Sequence, residues 1–152
     1  MAETETSQFT IGVFQDAAWA ARGLDALKTQ GFPNQALSII AADTPENADL
    51  VERRFGAAPM RLVLPRLGSV VASGGLVEAL DGTARDLARI GLVGALKRVG
   101  FQAHDGQIFE TLVTKGGVLV AVKGEPRVAD ALAVLHSFGG GNAAIGAWTG
   151  RL

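Results

Sequence analysis

Two strand–helix–strand halves with a helical, Gly/Ala-rich insertion between them predict an α+β fold for this chain, a ferredoxin-like α/β plait. Three observations carry that expectation. Displaced by 108 positions, the ends of the 152-residue chain resemble each other: Thr10-Ile11-Gly12-Val13-Phe14 falls on Val118-Leu119-Val120-Ala121-Val122, and Gly31 on Gly139. After each run, apolar residues recur at helical spacing, with Ala20, Gly23, Leu24 and Leu27 falling on Val128, Ala131, Leu132 and Leu135. A second short β-prone run then closes each half: Leu37-Ser38-Ile39-Ile40-Ala41, and Ala143-Ala144-Ile145-Gly146-Ala147-Trp148. The chain reads as a single domain over residues 1–152, with halves at 8–43 and 117–149 and the insertion at 44–116.

In the first half, Asp16 stands where a helix begins and its negative charge suits the positive end of the helix dipole. Gly31 supplies the left-handed stop. The second half repeats the pattern with Glu125 and Pro126 at the start and Gly139-Gly140 at the end. A plait puts the first strand of each half at the sheet centre. Residues 118–122 are apolar at every position, so both faces of that strand must lie out of water. A plait leaves one sheet face open, and the sequence admits two covers for it: the middle of the chain or a second subunit.

The middle is too long for a structureless loop. Thr44-Pro45-Glu46 is a cap followed by proline at the first helical position, predicting a helix to about Phe55 before Gly56. Leu62-Val63-Leu64 and Ser69-Val70-Val71-Ala72 are short runs bounded by Pro65, Gly68 and Gly74-Gly75, which allows extra strands. A short helix fits 75–80. Thr83 can cap a longer one whose centre, 90–96, is apolar all round and so expected to be buried on several sides. Its Gly91, Gly94 and Ala95 form a surface that could admit another backbone closely. A last helix is expected from Asp105 to about Lys115, before Gly116-Gly117.

Composition narrows the function. The chain has no Cys and no Tyr, two His, 25 Ala and 20 Gly. That removes disulfide frameworks, thiol nucleophiles and nearly all Cys/His zinc sites. A formal charge of −1 argues against a generally nucleic-acid-seeking surface. The acidic, polar start Met1-Ala2-Glu3-Thr4-Glu5-Thr6-Ser7 is unlike a secretion signal, and the longest uncharged stretches, 29–42 and 137–150, are too short and too polar for a membrane span. A cytoplasmic protein is expected.

Few side chains could converge on chemistry. His104, Asp105 and Glu110 come nearest to a catalytic or metal cluster, but with Asp105 capping its helix they would not meet at one ion. His136 suits the negative end of its helix. The loop Gly139-Gly140-Gly141-Asn142 follows a helix rather than preceding one, the wrong end for a phosphate. Arg53, Arg54, Arg61 and Arg66 form the one local excess of positive charge; with Phe55 alone among them there is no stacking platform for nucleic acid, and a solvated or salt-bridged face is the favoured reading. Trp19 and Trp148 stand beside small residues and read equally as core or as anchors of a partner surface. The sequence therefore predicts no catalytic residue, no metal and no cofactor.

The chain also resembles a known family. Gly31-Phe32-Pro33, Leu37-Ser38-Ile39-Ile40, Gly68-x-Val70-Val71-Ala72-x-Gly74-Gly75-Leu76, Gly91-Leu92-Val93-Gly94-Ala95-Leu96 and above all Gly116-Gly117-Val118-Leu119-Val120-Ala121-Val122 resemble the bacterial heat-induced general stress protein family. Here Arg61, Arg66, Asp81, Arg85, Asp86 and Arg89 interrupt what is often a longer apolar middle in that family. The resemblance implies a fold and a stress-related association, and no active site. The leading functional expectation is a non-enzymatic, self-associating structural or stress-related interaction protein, forming homo-oligomers or meeting a protein partner through Trp19, Gly91, Gly94, Ala95 and Trp148. The alternative is a small-molecule-binding regulatory module with an apolar pocket between the sheet and the middle helices.

Overall fold

A computed structural model describes residues 9–56, 58–81, 85–98, 101–123 and 133–134. The elements run β1 (Phe9–Phe14), α1 (Ala17–Thr29), a 3₁₀ turn (Asn34–Ala36), β2 (Leu37–Ala42), α2 (Pro45–Phe55), β3 (Met60–Leu64), β4 (Gly68–Ser73), α3 (Gly75–Asp81), α4 (Asp86–Arg98), α5 (Ala103–Thr114) and β5 (Val118–Lys123). Thr83, Glu125, Pro126, His136, the loop at 139–142 and the strand expected at 143–148, with Trp148, lie outside the described residues.

The caps read from the sequence are present. Asp16 accepts a hydrogen bond from the Trp19 amide at 3.0 Å, and Thr44 Oγ1 accepts one from the Asn47 amide at 3.1 Å. Gly31 and Gly56 take positive φ just beyond the helices they end. Asn47 adds a contact that the spacing does not reveal. It is buried, and its Nδ2 donates to the Ala42 carbonyl at 2.9 Å, tying α2 to the end of β2.

The five strands form one antiparallel sheet in the order β1-β5-β2-β4-β3. Both short runs of the middle segment join it as the hairpin β3–β4. β5 lies between β1 and β2, and residues 118–122 are buried at every position, as their uniform apolarity requires. Val118, Val120 and Val122 point to a core shared with Leu24 and Leu27 of α1 and Leu50 and Val51 of α2. Leu119 and Ala121 point to the opposite core, closed by Leu80 of α3, Leu92 and Leu96 of α4, and Phe109 and Val113 of α5.

The middle of the chain therefore covers the second sheet face itself. This decides between the two covers that the sequence left open, and no second subunit is needed to shield β5.

Two helices differ from expectation. α5 begins at Ala103, two residues before Asp105, so Asp105 lies inside the first turn and Gln102 precedes the helix without a side-chain cap. α4 is not one apolar cylinder. Gly91 leaves helical geometry at φ 86° and ψ 174°, splitting the helix, and Ile90 just before the break is 40% exposed. That backbone conformation is essentially confined to glycine.

Candidate functional site

The break in α4 opens a cleft of about 170 Å³ beneath the β3–β4 turn. Three segments build it. Pro65 and Arg66 come from the turn, Ile90 and Val93 from the two sides of the break at Gly91, and Gln107 and Glu110 from α5. Gly106, one turn before Glu110, packs α5 against Val93 of α4, where an added Cβ would make an ordinary contact at 3.5 Å. Arg66 is held with φ at 72°, a left-handed conformation that few non-glycine residues adopt.

Glu110 is 7% exposed and its carboxylate has no hydrogen bond or ion pair among the described residues. Burial raises its pKa above the ordinary 4.5, and the Arg66 guanidinium across the cleft offsets part of that rise. Both residues line the cleft, Arg66 at its exposed side, and they do not close to ion-pair distance.

The cleft brings together three residues that the sequence assigned to three separate features. Arg66 came from the arginine excess, Gly91 from the small-residue surface and Glu110 from the His/Asp/Glu group. Their sequence neighbours go elsewhere. Arg53 pairs with Asp49 at 2.8 Å, Arg54 with Asp25 at 3.1 Å and Arg61 with Asp43 at 3.7 Å, so three of the four arginines are answered by carboxylates. His104 is exposed on the outer side of α5, where it lines a separate open groove with Ile108 and Thr111. Six residues along a helix set His104 and Glu110 about 120° apart, and among the described residues no group of three His, Asp or Glu could hold a metal ion.

Gly91, Gly94 and Ala95 do not make one flat stripe, because the helix turns at Gly91. Gly91 faces Pro65, a Cβ on Gly94 would meet the Ile90 side chain, and Ala95 is fully buried. Trp19 is 38% exposed at the start of α1, with the Arg22 guanidinium 5.0 Å from its ring centroid. The space between the sheet and the middle helices is filled by Leu76, Leu80, Leu87, Leu92 and Leu96.

A second feature lies on the same hairpin. β3 pairs with β4 on one side and, among the described residues, with no strand on the other. Its Val63 is 69% exposed and Met60 41%, the two most exposed large apolar side chains among the described residues. Arg61 between them is drawn to Asp43. Edge strands are ordinarily blunted by charge or proline within the strand; β3 holds no proline, and its one charge, Arg61, lies 3.7 Å from Asp43.

No known family model, characterised protein or solved structure matches this chain. No described helix is long and apolar enough to cross a membrane.

Proposed function

We propose that the chain is a non-enzymatic interaction protein that associates with a second copy of itself along the outer edge of β3. The observation that carries this reading is the exposure of Val63 and Met60 on a strand whose outer backbone groups have no partner among the described residues. An open edge is a template for another strand, and two copies meeting edge to edge form a self-complementary, two-fold contact. The pairing of Arg61 with Asp43 supports it, because the carboxylate 3.7 Å away offsets part of the strand's one charge.

The finer fold in this reading is a ferredoxin-like plait extended by the β3–β4 hairpin. Its support is that β1 and β2 run parallel with β5 antiparallel between them, as a split strand–helix–strand unit requires. Membership of the heat-induced general stress proteins and a cytoplasmic location belong to the same proposal and rest on the sequence.

Light scattering over a range of concentrations tests the association. A dimer that Val63→Lys converts to a 15.7 kDa monomer is the expected result. A wild-type protein that stays monomeric at about 100 μM, a hundredfold above a 1 μM dissociation constant, would refute it. So would a dimer indifferent to Val63→Lys.

A further inference from the structure

We infer that the cleft beneath the β3–β4 turn binds a small zwitterion of amino-acid size, its ammonium group on Glu110 and its carboxylate on Arg66. This goes beyond self-association and stands without it, since the cleft is complete within one copy.

Four observations point to that ligand. The first is Glu110, more than nine-tenths buried, lining the cleft and without a protein partner for its carboxylate among the described residues. Its oxygens are not sealed off but open onto the cleft, where a donor, best a cation, can reach them. The second is Arg66, the one arginine of its group with no carboxylate in contact among the described residues, standing across the same space. Opposite charges that face one another without touching leave room for a molecule carrying both complements in reverse order. The third is size: about 170 Å³, against about 30 Å³ for one water's share of the liquid. The fourth is the lining. Pro65, Ile90 and Val93 supply apolar wall for a short carbon body, and the Gln107 amide can donate to a carboxylate or accept from an ammonium.

Gly91 makes this space in two ways. Its break turns the second part of α4 away, and its missing side chain keeps the wall beside Pro65 open.

A zwitterion suits the site better than either half of it. An amine alone would satisfy Glu110 and leave Arg66 unanswered, and a carboxylate alone would meet Arg66 while adding negative charge beside Glu110. A charge-assisted hydrogen bond contributes about 1.5–3 kcal/mol, so losing one contact costs at least tenfold in affinity.

The experiment is calorimetry and ligand-observed NMR with β-alanine, 4-aminobutyrate and L-valine as zwitterions, and n-butylamine and butyrate as half-ligands. The expected result is binding of at least one zwitterion at least tenfold tighter than both half-ligands. Glu110→Gln and Arg66→Gly should each weaken it tenfold or more while circular dichroism stays unchanged. Arg66→Gly accepts the left-handed backbone, so its loss of binding should come without loss of stability. The inference fails if no zwitterion binds wild-type protein at about 10 mM, a concentration that detects even millimolar affinity. It fails equally if butylamine or butyrate binds as tightly as the zwitterions, a comparison that needs no variant, or if either variant binds like wild type.

Discussion

Arg98 Nε lies 2.5 Å from Asp86 Oδ2, although the two residues stand at opposite ends of α4. Twelve residues of straight helix span about 18 Å, beyond the combined reach of the two side chains. The ends meet because the chain turns at Gly91. Asp86 is buried and also holds Arg89 at 2.5 Å, while Arg98 Nη2 donates to the carbonyls of Ala79 and Leu80 at the end of α3. One ion pair thus joins the two ends of the broken helix, and its arginine ties them to α3.

Gly91→Ala is expected to lower stability by about 1–3 kcal/mol, the cost of forcing a side-chain-bearing residue into that backbone region. A clash is not the cause, since the added Cβ would lie 3.5 Å from Pro65, an ordinary contact. Urea unfolding measures it. A variant more stable than wild type would mean that α4 can straighten without penalty.

Asp86→Ala should cost about 1–3 kcal/mol, because it removes the buried acceptor shared by Arg89 and Arg98. The double-mutant cycle with Arg98→Ala should give a coupling of about 1 kcal/mol or more. Arg53→Ala is the control: its pair with Asp49 is exposed on both sides and should contribute about 0–0.5 kcal/mol. Additive effects of Asp86→Ala and Arg98→Ala would show that the clasp is incidental.

Two glycines with positive φ should respond very differently to alanine. Gly74 packs against β2, where a Cβ would fall within 2.6 Å of Ser38 Cα and also against the Leu37 carbonyl. Backbone cannot give way as a side-chain tip can, so Gly74→Ala should cost about 3 kcal/mol or more. Gly56 has nothing within 4 Å of that position, and Gly56→Ala should cost only the left-handed penalty of about 1–2 kcal/mol. Comparing the two midpoints separates steric from conformational cost.

Glu110 should give stability a pH dependence of known sign. Its pKa is higher folded than unfolded, so the folded state holds the proton more tightly. Its contribution is therefore fully present below the unfolded value and is lost as pH rises through the folded one. Glu110→Gln removes the ionisation, so the variant should gain on wild type as pH rises above the ordinary carboxylate range, as followed by thermal unfolding. Parallel curves for the two proteins would contradict it.

Local chemistry was readable along the chain. Asp16, Thr44-Pro45, Gly31 and Gly56 mark their helix ends because capping involves residues within one turn of each other. The unbroken apolarity of 118–122 already required cover on both sides of β5.

What covers it is a matter of contacts between segments far apart in sequence, and so was the joining of β3–β4 to the sheet. Gly91 is the sharpest case. Surrounded by Ile90, Leu92 and Val93, it reads as one more small residue in an apolar helix. Its role as a break shows only in three dimensions, where it faces Pro65 and lets Asp86 meet Arg98. The same holds for the cleft, since Arg66 and Glu110 are far apart in the chain and belong to unrelated local patterns. Local sequence determines which backbone states are cheap. Which costly state is adopted, and which charges end up facing each other, depends on the free energy of packing the whole chain.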